Sequence, residues 1–204
     1  MNKKQVESTI VKLAIAFRCN TLNFIKEEDL RSKLYSLFDS LDSTKIHIDG
    51  PERKREFYYV HANWFGIKSE KKKETKGYCD LVILTKKSLF DLQEKEGEET
   101  RIFAQYLRCF VGIEIKRWPG KLHNPPDDRD CDDIKDLRNM LQHDKIEYGY
   151  ALIFIDEDID ENNENKYAEI IQFYGKMIGK TKNLQIWLIP RTGKVRRLRG
   201  IGSI

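Results

Sequence analysis

Two apolar runs decide how this chain is read: Gly77-Tyr-Cys-Asp-Leu-Val-Ile-Leu84 and Val111-Gly-Ile-Glu-Ile-Lys116. Each has the composition of a buried strand, and each carries charge where a core is apolar: Asp80 in the first, Glu114 and Lys116 in the second. Burying an unpaired carboxylate or ammonium is costly, so these groups call for a shared reason. Side chains on a strand alternate faces, which gives Glu114 and Lys116 one face and Ile113 and Ile115 the other. If the two strands are neighbours, Asp80 and Glu114 converge. An oxygen-rich site of that kind suits Mg²⁺ or Mn²⁺, with Lys116 beside it to orient a water or to neutralise a phosphate. Burial and the neighbouring carboxylates pull the Lys116 pKa in opposite directions, and the net sign does not follow from sequence.

The elements around these runs follow from periodicity. Lys4 to Arg18 carries Val6, Ile10, Leu13, Ala14 and Phe17 at helical spacing, and Lys26 to Leu41 carries Leu30, Leu34, Leu37, Phe38 and Leu41 on one stripe. The second helix opens on Glu27-Glu28-Asp29, acids that suit a helix N-terminus. After Asp49-Gly50-Pro51, the aromatic-rich Glu56 to Phe65 reads as one strand, and Lys68–Lys76 as a charged connection into the Asp80 strand. Leu89 to Leu107 reads as mostly helix, interrupted near Gly97, so that a helical segment is inserted between the Asp80 and Glu114 strands. The Glu114 strand stops at Trp118-Pro119-Gly120. Beyond it come a helix over Asp132–His143 with Ile134, Leu137, Met140 and Leu141 inward, a strand over Gly149–Ile155, a helix over Tyr167–Ile178 and a strand over Leu184–Ile189, stopped by Pro190. The pattern predicts an α/β fold (α+β in its mixed sheet): one central mixed sheet flanked by helices, a single domain over 1–190 and a basic tail over 191–204.

An aspartate, an apolar strand and then Glu-x-Lys resembles the PD-(D/E)XK nuclease superfamily, the restriction-endonuclease-like enzymes. Glu114-Ile115-Lys116 matches its triplet and Asp80 its aspartate, with Cys79 where many members have proline. The resemblance covers roughly Lys26 to Asp156. It implies a restriction-endonuclease-like core and a metal-dependent endonuclease that hydrolyses DNA phosphodiester bonds. Asp80, Glu114 and the Ile115 carbonyl would hold Mg²⁺ or Mn²⁺, and Lys116 would position the attacking water. The leading helix of that family often adds a carboxylate. Glu27 lies three residues before Leu30, on the side of the apolar stripe, and is better placed than Glu28. Either Glu27 joins the catalytic and metal site or all three acids only favour the helix dipole. Glu7 on the first helix is a weaker candidate. Asp133-Ile-Lys-Asp-Leu137 resembles the start of the helix after the Glu-x-Lys strand; there Lys135 reaches the site or is a solvated helix charge. The resemblance also implies a homodimer and partner subunits of a DNA-processing or defence system. Specific sites, branched or damaged DNA and RNA are all open as substrates. The alternatives are a catalytically inactive nucleic-acid-binding or assembly module on the same fold, and a purely structural ion-pair cluster.

Composition narrows the classes. The chain has 204 residues and a net charge of +4, with no apolar run near the ~20 residues that span a bilayer. Met1-Asn-Lys-Lys lacks the apolar core of a secretory signal, so a cytoplasmic protein with no membrane partner is expected. The four cysteines, Cys19, Cys79, Cys109 and Cys131, show no zinc-type spacing. Lysines crowd 68–76, and Arg191, Lys194, Arg196, Arg197 and Arg199 crowd the end; such clusters suit a phosphate backbone or are simply solvated. His61 and the tryptophans Trp64, Trp118 and Trp187 read more readily as packing than as site residues. No Gly-x-x-x-x-Gly-Lys loop supports ATP hydrolysis.

Overall fold

The computed structural model describes residues 1–41, 45–49, 54–58, 60–65, 78–93, 107–118 and 131–200. Helices α1 (Lys3–Cys19) and α2 (Glu27–Asp39) come first, joined through a short 3₁₀ turn at Thr21–Asn23. Asn2 and Gln5 close α1 with reciprocal hydrogen bonds between side chain and backbone, at 3.1 and 2.8 Å. Asp29 starts α2 by accepting the Ile25 and Lys26 N–H groups, each at 2.8 Å. Two strands, β1 (Lys45–Asp49) and β2 (Lys54–Tyr58), pair antiparallel as a separate ribbon.

The main sheet has six strands in sequential order: β3 (Val60–Phe65), β4 (Tyr78–Leu84), β5 (Cys109–Trp118), β6 (Ile146–Ile155), β7 (Leu184–Pro190) and β8 (Arg196–Arg199). The first three form an antiparallel meander. β5, β6 and β7 are parallel to one another, and β8 returns antiparallel to β7. Parallel neighbours need a crossover. Helix α4 (Asp132–Gln142) lies between β5 and β6, and α5 (Glu164–Ile178) between β6 and β7. Two crossovers stepping the same way across a sheet put both helices on one face.

The core accordingly divides in two. Val6, Ile10, Leu13 and Phe17 of α1 and Leu30, Leu34 and Phe38 of α2 pack on Ile113, Ile115, Leu152 and Phe154. Ile134, Leu137 and Met140 of α4 and Tyr167, Ile170, Tyr174 and Ile178 of α5 pack on Val82, Ala151, Ile153 and Ile186 on the opposite face. The parallel strands β6 and β7 are covered on both sides, which is why they read as unbroken apolar runs. The spacing of the buried residues in α1, α2 and α4 matches the stripes read from sequence. No helix among the described residues is long and apolar enough to cross a membrane.

The expected α/β class with a mixed sheet flanked by helices is therefore present. Several elements differ from the sequence reading. The Glu56–Phe65 run is two strands in two sheets, β2 against β1 and β3 against β4. Alternating aromatic composition marks extended chain and does not say which partner each half takes. β1 was not foreseen, and β6 begins at Ile146, three residues before the apolar run starts. The inserted helix is present as α3 (Lys86–Gln93); the rest of the Leu89–Leu107 stretch up to residue 106, the Lys68–Lys76 connection and Pro119–Gly120 lie outside the described residues.

Among the described residues, the basic segment 191–200 is built into the fold where a tail was expected; residues 201–204 lie outside them. Arg196–Arg199 close the sheet as β8, Arg197 pairs with Glu7 of α1, and Arg191 pairs with Asp158. Gly193, with φ of +83° and Ile159 Cβ only 2.8 Å from where its own Cβ would stand, makes the turn between β7 and β8.

Candidate functional site

The backbone of β4 and β5 sets up the site by parting. Their paired positions run from Leu84/Cys109, past a bulge at Phe110, to Leu81/Ile113. Beyond Ile113, carboxylates rather than β4 backbone take the N–H groups on that edge of β5. Asp80 Oδ2 accepts from Ile115 N at 2.7 Å, and Glu27 Oε1 accepts from Arg117 N at 3.1 Å. A strand residue directs its N–H and its C=O to the same edge. The Ile115 carbonyl therefore also faces this gap.

Glu114 points between these strands and α4. Its residue is only 5% exposed. Burial, the charges of Asp80 and Asp133 and a hydrogen bond with Asp80 push its pKa up to about 10, against the opposing effect of Lys116. Two carboxyls in hydrogen-bonding contact in a poorly hydrated pocket cannot both ionise at neutral pH without a cation between them. In the protein alone a proton fills that role.

Lys116 lies two residues on, half-exposed, with Nζ 2.6 Å from Asp133 Oδ2. Burial favours its neutral form. The hydrogen bond to Asp133 and the charges of Asp133, Glu27 and Glu114 outweigh burial, and its pKa is raised. The sign left open by the sequence is thereby given, and the deciding partner is a residue outside the motif. On the α2 side, Arg31 Nη1 sits 3.2 Å from Asp80 Oδ1, both side chains about a quarter exposed. Arg31 stands one turn after Glu27, so the same helix face delivers both. The Arg117 guanidinium turns away to pair with Asp156 beyond β6.

Asp80, Glu114, Lys116 and Glu27 thus come together around the parting of β4 and β5. The three acids that open α2 divide their labour. Glu27 reaches β5, Asp29 caps the helix and Glu28 is exposed. Glu7 is elsewhere: it pairs with Arg197 and accepts from Gln185 Nε2 at 3.2 Å and Tyr150 Oη at 3.4 Å, on β6 to β8. Lys135 pairs with Asp132 at 3.0 Å. Trp187 is core, its ring under the Arg197 guanidinium at 4.8 Å.

Sequence reasoning missed Arg31 and Asp133. Arg31 lies at i+4 from Glu27, a signal that was available. Asp133 has a twin in Asp132, and only the seating of α4 distinguishes them.

The donor set fits a hard divalent ion in type: two carboxylates and a main-chain carbonyl, all oxygen. Among the described residues no group of three or more His, Cys, Asp or Glu is arranged to hold a metal. No protein-family model, curated protein or solved structure matches the chain.

Proposed function

We propose that this protein is a metal-dependent endonuclease of the PD-(D/E)XK type, acting on DNA phosphodiester bonds. One observation carries the reading: the backbone pairing of β4 and β5 ends at Leu81/Ile113, and beyond it the Asp80 and Glu114 carboxyls meet, with Lys116 two residues from Glu114 on the same face. The order α2, meander β3–β4–β5, crossover α4 and parallel β6 resembles a restriction-endonuclease-like core and supports the same reading.

In this account Asp80, Glu114 and the Ile115 carbonyl would hold Mg²⁺ or Mn²⁺, with Glu27 flanking them. The chemistry that a bound divalent ion supplies is a more acidic water and neutralisation of charge on the phosphate. Lys116 directs an N–H at the attacking water or at a phosphate oxygen. Asp80 is kept in register by its bond to the Ile115 N–H. On β6, buried Ala151 stands beside Glu114 and buried Ile153 beside Lys116.

The test is nicking of supercoiled plasmid in Mg²⁺ or Mn²⁺. Asp80→Ala and Lys116→Ala are each expected to lose about 10²-fold or more in rate while keeping the wild-type circular dichroism. Undiminished cleavage by both purified variants rejects the assignment.

A second reading, a catalytically inactive nucleic-acid-binding or assembly module on the same fold, has its own support. Asp80 already holds Arg31, and Lys116 already holds Asp133. Calorimetric titration with Mn²⁺ separates the two: binding without cleavage of plasmid, branched DNA or RNA favours the module.

A further inference from the structure

Asp133 stands at the first turn of α4, outside the motif that led to the site. Its neighbour Asp132 turns outward and pairs with Lys135, both well exposed. Asp133 turns inward and meets Lys116 Nζ at 2.6 Å. The helix that carries it is firmly seated. Ile134, Leu137 and Met140 are buried against the sheet, and Met140 Sδ lies 3.4 Å from Sγ of Cys79, the residue next to Asp80. A displacement of α4 is thus felt at both ends of the site.

We propose that Asp133 is a positioning residue that fixes the Lys116 ammonium beside the Asp80–Glu114 pair. A lysine side chain is long and flexible, and its ammonium has three N–H donors. Asp133 takes one of them. The other two remain as donors from a fixed point beside Glu114. Without Asp133 the strand still carries Lys116, but the ammonium is free to swing to solvent through its half-exposed side. The catalytic consequence rests on the nuclease reading; the anchoring of Lys116 does not.

The experiment uses the full chain and three variants, Asp133→Asn, Asp133→Glu and the outward control Asp132→Asn. The first readout is the ¹⁵N–¹H spectrum of the lysine ammonium groups. An ion-paired Lys116, identified by loss of its signal in Lys116→Ala, is expected in the wild type, in D132N and in D133E, and is expected to vanish in D133N. The second readout is plasmid cleavage in Mn²⁺. D133N is expected to lower kcat by about 10- to 100-fold with little change in KM, D133E to recover most of the loss, and D132N to match wild type. Recovery in D133E separates positioning from unfolding. An unchanged Lys116 signal in D133N, or a kcat within about twofold of wild type, overturns the inference. If the wild type cleaves nothing, the nuclease reading falls on its own, and the ammonium spectrum alone decides the role of Asp133.

Discussion

At the scale of the residue, Glu114 is the most informative group. A carboxyl with an ordinary pKa near 4.5 is held at about 10 in the folded chain by burial and by Asp80 and Asp133. The sign of its effect on stability follows. Below pH 4.5 Glu114 is protonated in both states and contributes no pH dependence. Between 4.5 and about 10 the unfolded chain releases the proton and the folded chain retains it, so folding stability declines as pH rises. In metal-free buffer, urea midpoints are expected to fall from pH 5 to pH 9. Glu114→Gln, neutral throughout, is expected to flatten the fall and to be more stable than wild type at pH 8. A parallel pH dependence in the two proteins contradicts this account of the pocket. Much of the residue-level logic was legible in sequence, because charge in an apolar strand is conspicuous. Asp133 was not, because nothing local distinguishes it from Asp132; the difference is made by where the buried stripe of α4 sets its first turn.

At the scale of the element, the edge of β5 beyond Ile113 depends on side chains for its hydrogen bonds. Asp80 therefore has a structural task apart from any chemistry. Asp80→Ala leaves the Ile115 N–H without its acceptor and is expected to cost about 1–3 kcal/mol. Asp80→Asn removes the same charge but keeps an acceptor oxygen, and its denaturation midpoint is expected to lie closer to wild type. Equal midpoints for the two variants contradict the edge-filling role. At the start of α2, Asp29→Ala removes the acceptor for the Ile25 and Lys26 N–H groups and is expected to cost about 1 kcal/mol by urea melt. Glu28→Ala, exposed and unneeded for capping, is expected to cost much less. The stripes of α1, α2 and α4 were legible because period and burial coincide. The split between β2 and β3 was not, since strand partnership is a long-range choice that composition does not encode.

At the scale of the molecule, six strands carry helices on both faces, and Asp80 and Glu114 lie where the antiparallel meander meets the parallel strands. β5, like β7, has one antiparallel and one parallel neighbour, and it supplies both Glu114 and Lys116. The class of fold could be read from the succession of helical and strand periods. The far edge could not: the arginines from 191 onward count as charge in a sequence, whereas Arg197 and Arg191 are committed to Glu7 and Asp158 and β8 completes the sheet. The measurement that bears most directly on the central claim is anomalous diffraction from crystals soaked in Mn²⁺. A single peak about 2.1 Å from carboxylate oxygens of both Asp80 and Glu114, with the Arg31 guanidinium moved off Asp80, is the predicted result. A fully soaked crystal with no peak between β4 and β5, and with Arg31 still on Asp80, contradicts it.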